Sequence, residues 1–496
     1  MELKAAGNQW LKKHFGLTNY QLTHRSYIGT RNKIEVSLDG GVDEIFGPKY
    51  AADETITAHL EFALKYDDFN LDFLATVLGK TDQQEIIGYI TANPTGRYAR
   101  KIGFIYEWLT DKPLALPVKV GGNYVDFLDE SMYITGNKIK NSRWRVNDNL
   151  LGTAAFCPIV RKTQAISESI STNFHEVIQT LKKEYSSEIF NRATQYLYRK
   201  ETKSSYEIES ENPSLDRISR FIALLHEAGK QPVKDIFNET NLTALQNAIV
   251  DPRYKQTGFR DFQNYIGQSN HRMEEIYHYV CPPPDIVHSM MEGLIAVEAK
   301  TIGNSPVIRA ALIAFGFVFI HPFLDGNGRI HRFLIHDILT RDGFVDKDVI
   351  IPVSAHMVNN LKAYDAVLEA YSKPLMQRIQ FVSAANGRIA VTNSEEVVSY
   401  FRYPDLTTQV IFLANAIRET IQHDLSDELH FLDRYDELKR AIQELIDMPD
   451  KKLNDLIVFI HQNKGKFPKR RKKYFPEISQ SELEGIEGVY AIVFND

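Results

Sequence analysis

Cysteine is almost missing from this chain. Its 496 residues contain two, Cys157 and Cys281. Two thiols so far apart build no disulfide framework, and no CxxC pair exists to hold a structural metal. A reducing, cytoplasmic setting is therefore expected. Long apolar runs are scarce too. The longest, AALIAFGFVFI at 310–320, falls short of the ~18 residues that suggest a membrane span, so it reads as a buried helix and no membrane partner is expected. The opening MELKAAGNQWLKKHFGL lacks the apolar stretch that marks a secretory leader. No sign of charge dominates: the net charge is -6. That gives no hint of a general nucleic-acid binder. Known phosphate loops are also absent. There is no G-x-G-x-x-G, and GKT at 79–81 has Leu74 where a P-loop needs glycine.

Length and patterning divide what is present. A chain this long needs more than one core. Residues 1–165 mix helical periods (ETITAHLEFALKY, QQEIIGYITAN) with two strand-like runs in 118–137, an α+β pattern. Residues 166–250 are helical. Residues 251–375 open on a hairpin pattern, FRDFQNYIG and IYHYV, and continue as helices. Residues 376–496 are helical and charged, with a basic stretch, KGKFPKRRKKYF, read as a solvated loop. The expected class is mainly α. An α+β domain precedes the core and a helical domain follows it.

One stretch carries chemistry. HPFLDGNGR starts at His321, where the apolar helix led by Ser305 and Pro306 runs out. Pro322 ends that helix, so His321 sits on a rigid support. Gly326, Asn327 and Gly328 make a turn into a new helix beginning RIHRFLIHDIL. A glycine turn feeding a helix N-terminus gathers N–H groups toward an anion. Arg329 and Arg332 add cations there. Asp325 would repel phosphate unless a divalent cation lay between them, which is how Mg²⁺ is commonly held. His321 is then a general base beside a phosphate. The residues themselves point to phosphoryl or nucleotidyl transfer onto a nucleophile.

HPFLDGNGRIHR, residues 321–332, resembles the Fic family signature HPFx[D/E]GNGRxxR at every defined position. GFRDFQNYIG…YVCPPPDIVHSMMEGL (258–294) looks like the flap and helix that precede the signature in that family. IIPVSAHMVNNLKAYDAVLEAYSKPL (350–375) looks like the helices that follow it. The likeness covers roughly 205–380. It implies a Fic-type helical core with a β-hairpin flap, and ATP and Mg²⁺ as cosubstrate and cofactor. It implies transfer of AMP to a Ser, Thr or Tyr hydroxyl. His321 would be the base and Asp325 the Mg²⁺ ligand. Gly326, Asn327 and Gly328 would bind the α-phosphate, and Arg329 and Arg332 the β- and γ-phosphates. Gln263, Asn264, Tyr265, Ile266 and Gly267 of the flap would register a target segment as an added strand. His331 departs from the family, standing where many members have a small residue.

The resemblance also implies a brake. Many Fic proteins carry [S/T]xxxE[G/N], whose glutamate pairs with the second arginine of the signature. SSYEIESEN (204–212) offers Ser205 and Glu209 at that spacing, with Ser210 where Gly or Asn is expected, and Glu207 as the fallback. The partner expected is a target protein with an acceptor hydroxyl, self-modification included. Homo-oligomers are allowed and nucleic acid is not expected. Two other readings stand beside AMP transfer. One uses the same site to remove AMP or to move another phosphate-containing group. The other is a non-enzymatic nucleotide-sensing or DNA-binding regulator.

Overall fold

The computed structural model describes residues 3–494 except 38–39, 172–173, 233–235, 270–274, 348 and 384–387. The molecule is mainly helical, with small sheets. At the N-terminal end four strands lie in the order Lys4–Ala6, His24–Ile28, Val42–Phe46, Lys33–Val36. The middle pair is parallel and the outer pairs antiparallel. Helices Ile56–Tyr66, Leu71–Lys80, Gln83–Ala92 and Arg97–Thr110 pack beside them around a core that includes Leu60, Phe73, Ile102 and Trp144.

The strand-like runs expected in 118–137 are mostly irregular. Only Val125–Asp126 is a strand there, in a small sheet with Val146–Asp148 and Ile139–Asn141. Side chains satisfy this segment's backbone in place of a ladder. Lys101 donates to Phe127 O (2.6 Å), and Asn149 both donates to and accepts from Leu128. The GKT at 79–81 is the end of a helix, with Thr81 as its C-cap.

The principal core runs from Ile134 to Leu429. It crosses the boundaries expected at 165/166, 250/251 and 375/376. At its centre is the helix Pro306–Ile320, buried at every residue from Val307 to Ile320. Its one charged side chain, Arg309, is paired with Glu298 (2.6 Å) and Asp342, and the rest is apolar, as suits an interior helix. It packs along Asn327–Arg341 and Pro284–Lys300. A third core, including Leu438, Leu456, Ile460 and Ile486, is enclosed by helices Ser426–Leu445, Asp450–Gln462 and Gln480–Phe494. Phe467 and Phe475 of the basic stretch belong to it; Tyr474 is exposed.

Candidate active site

The central helix stops because Pro322 cannot extend it, and His321 caps it in the left-handed region at φ 53°. A side chain there costs of order 1 kcal/mol and persists because the surroundings over-determine it. Arg260, fully buried, does most of this. It donates to His321 O (2.8 Å), Ile320 O, Pro282 O (2.7 Å) and Phe262 O. These include the helix's orphan C-terminal carbonyls.

The half-buried His321 ring has Nδ1 3.2 Å from Val318 O. A carbonyl only accepts, so Nδ1 carries the proton and Nε2 keeps its lone pair. Burial, then the Arg260 cation, brings the His321 pKa down to about 4, against smaller opposing effects of Val318 O and Asp325. The imidazole is therefore neutral at pH 7, the form a general base requires.

The loop after His321 is pinned from several sides. Phe323 is fully buried against Phe259. Asn327 closes the loop on itself, accepting from Phe323 N–H (3.0 Å) and donating to Phe323 O (2.8 Å). Gln246 donates to Asp325 O, and Gln256 accepts from Leu324 N–H (2.6 Å). Gly326, at φ 88°, caps the helix Asn327–Arg341. The N–H groups of that helix's first turn have no partner within it. Asn327 contributes backbone to this cradle while its side chain staples the loop.

Another group fills the cradle. The helix Ser187–Ile208 ends on Glu209. A Cβ added to Gly328 would lie 2.4 Å from Glu209 Oε1, so the carboxylate sits directly over the glycine. Glu209 Oε1 accepts from Arg332 at 2.6 Å. Its Oε2 lies 2.8 Å from Arg329 Nε, an ion pair with poor hydrogen-bond direction. Ser205 also binds Arg332, accepting from Nε through Oγ (2.7 Å) and from a terminal nitrogen through its carbonyl (2.7 Å). Glu207 faces solvent.

Arg329 has no exposed surface. Burial works against its charge, and Glu209, Asp325 and Glu211 more than offset that, so its pKa is raised. Asp325 Oδ1 accepts from Arg329 (2.7 Å) and from Gly326 N–H (2.6 Å). Oxygens of Glu209, Glu211 and Asp325 lie within 4.8 Å of one another. Ser210, at φ 55°, continues the chain past Glu209. Ser210 N–H donates to Glu207 O and Glu211 N–H to Tyr206 O. This is a Schellman end, whose left-handed position favours glycine or asparagine.

Tyr265, Ile266 and Gly267 lie on a strand, Tyr265–Ser269, antiparallel to Glu275–Val280. Gln263 and Asn264 precede it. Gln263 donates to Cys281 O (2.7 Å) and Asn264 to Phe323 O (3.1 Å), tying the hairpin's base to the loop. Sequence reasoning missed Arg260, Glu211 and the Tyr206 ring beneath Arg329 (5.3 Å). An arginine 61 residues from His321 leaves no local signal. A cavity of about 620 Å³, lined by Tyr20, Thr76, Arg378, Ser399 and Arg402 among others, is remote from this site.

A loop of this construction, between two buried helices and ahead of a glycine-capped N-terminus, agrees with a family comparison: residues 236–339 match the Fic/DOC family. The chain therefore carries a Fic/DOC domain. It is 32% identical over 123 residues to "Protein adenylyltransferase fic-1" of Caenorhabditis briggsae, which covers 23% of this chain and 22% of that protein. A Fido domain-containing protein of Dictyostelium discoideum is 33% identical over 93 residues, 18% of this chain and 63% of that protein. The matches thus span about a fifth of the nematode protein and under two thirds of the other. A Fic family protein from Desulfovibrio desulfuricans G20 superposes with a TM-score of 0.39 at 19% identity, over 61% of this chain and 88% of that one.

Proposed function

We propose that the chain is a protein adenylyltransferase that moves AMP from ATP to a Ser, Thr or Tyr hydroxyl of a target protein, held back by Glu209. The observation that carries this is a neutral His321 with a free Nε2 beside a helix N-terminus flanked by two buried arginines. Nε2 takes the hydroxyl proton as the oxygen bonds to the α-phosphorus. The bond from that phosphorus to the bridging oxygen of the β-phosphate breaks, and pyrophosphate leaves. Arg329, Arg332 and the first-turn N–H groups bind the phosphates and stabilise the charge that develops.

Asp325 is the residue that would hold Mg²⁺, since hard carboxylate oxygens cluster there. When bound, the ion would shield phosphate charge. The strand Tyr265–Ser269 would pair with an extended target segment. Glu209 inhibits because its carboxylate takes both the cradle over Gly328 and the cation of Arg332, where phosphate oxygens would go.

Radiolabelled transfer to proteins of a cell lysate tests the proposal, with ATP carrying the label at its α-phosphate. Glu209→Gly should label proteins at least about tenfold faster than wild type, the effect of losing a charge-assisted hydrogen bond at a buried arginine. His321→Ala in that background should abolish labelling. Label that transfers only from the γ-phosphate would make the protein a kinase instead. A glutamate that orients water would favour AMP removal, and Glu209, whose carboxylate lies over Gly328, is the candidate, so AMP removal is the second reading. Loss of AMP from a pre-modified protein with wild type, absent with Glu209→Gly, would establish it.

A further inference from the structure

Glu201 is a buried acid eight residues before Glu209 that the chemistry above does not use. Eight residues along a helix is about 12 Å. Its carboxylate is 1% exposed, and the His336 side chain beside it 5%. Glu201 Oε1 lies 2.8 Å from His336 Nε2 and also accepts from Ser354 Oγ–H. Oε2 accepts from Ser354 N–H at 2.8 Å. Three donors from two other helices, Asn327–Arg341 and Val353–Asn359, thus converge on one acid.

These contacts form a ladder. Glu201, Ser205 and Glu209 recur every fourth residue, on one face. So do His336, Arg332 and Gly328 on the opposing helix. Glu201 meets His336, Ser205 meets Arg332, and Glu209 lies over Gly328. The two helices therefore run antiparallel in one register. Apolar contacts alone tolerate sliding; a buried carboxylate does not, because a slip strands it without donors. A slip of one turn would carry Glu209 about 5.4 Å from Gly328.

We infer that Glu201 is a positioning residue of the inhibited state: its clamp on His336 and Ser354 sets the register that seats Glu209 over Gly328. The inference rests on the reading that Glu209 inhibits. Glu201 touches no phosphate and acts only through Glu209.

The test uses the full chain, α-labelled ATP and lysate protein. Glu201→Gln keeps the shape and weakens the charge-assisted bonds. It should raise the initial rate of AMP transfer about tenfold and change it less than twofold when Glu209→Gly is already present. A folded Glu201→Gln protein with the wild-type rate overturns the inference. So does an equal gain in the Glu209→Gly background, which would place the effect outside the brake. Should Glu201→Gln fail to fold, Ser354→Ala removes one donor and should give a smaller gain with the same dependence on Glu209.

Hydrogen exchange keeps the two readings separate. Glu201→Gln should speed exchange of the Ser210 and Glu211 amides about tenfold whether or not Glu209 inhibits; unchanged exchange overturns the clamp. If instead Glu209→Gly is no faster than wild type, the inhibitory reading fails by itself.

Discussion

At the scale of single residues, two left-handed positions decide the site. Ser210 holds φ 55° where glycine would sit without strain. Ser210→Gly should steady the end of the Ser187–Ile208 helix by about 1 kcal/mol. We expect roughly fivefold slower hydrogen exchange at Glu211 and slower basal transfer, since the cap carries Glu209. This accounts for Gly or Asn at that place in the family pattern: the position demands a backbone conformation, not a side chain. At His321 the expectation concerns pH. With its pKa brought down to about 4, the imidazole is already deprotonated from pH 5 upward. The rate of AMP transfer by Glu209→Gly should show no fall centred near pH 6.5, the ordinary histidine value. An inflection there that disappears in no other variant would contradict the neutral-base assignment.

Among elements, the junction between the central helix and its loop is what Arg260 maintains. Arg260→Met keeps the bulk and removes every donor, leaving buried carbonyls of Ile320, His321 and Pro282 unsatisfied. A loss of about 2–4 kcal/mol is expected, read as a lower urea midpoint. Arg260 is also the cation that lowers the His321 pKa, so the acid limb of the transfer rate should move upward in pH. A stability change without that shift would leave Arg260 a packing residue only. The hairpin 265–280 and the helix 306–320 were legible from periodicity and turn residues. Their mutual placement was not, because Arg260 and Asn264 bridge positions about sixty apart in the chain.

For the molecule as a whole, buried ion pairs weld the N-terminal region to the rest. Asp72 accepts from Arg378 (2.6 Å), Ser399 (2.7 Å) and Tyr20 (3.2 Å), with Asp72 7% and Arg378 8% exposed. Asp72→Ala would leave Arg378 buried without its partner, at a cost of about 3–5 kcal/mol. A shift of the urea midpoint, with the His321 site otherwise intact, is the expected result. Acid should also destabilise the protein through its buried histidines. Burial holds His59 at about 4, His321 at about 4 and His331 at about 3. Their folded pKa values lie below the ordinary 6.5, so the unfolded chain binds more protons there. The stability they contribute is complete above about pH 6.5 and drains as pH falls toward 4 and 3. Asp67, raised by burial to about 6, acts in the opposite sense. Burial also lowers the pKa of His461 and raises that of Asp337, one in each sense, so the histidines still outnumber the raised carboxyls and the urea midpoint at pH 5 should be lower than at pH 7.

The chemical kit is legible in the chain alone: a histidine at the end of an apolar helix, a glycine turn, a carboxylate, and two arginines four and seven residues beyond it. Those residues are local, so spacing alone reports them. Ser205 and Glu209 were legible only through a known pattern, because nothing nearby in the chain says what a surface-like acid will face. Helix packing sets Glu209, not Glu207, over Gly328. Packing also turns the Asn327 side chain onto Phe323 and brings Glu201, His336 and Ser354 together. Each of these is a contact between distant segments, fixed by helix packing and by the need of buried polar groups for partners. A one-dimensional pattern records which groups are present; only the packed core brings their partners within bonding distance.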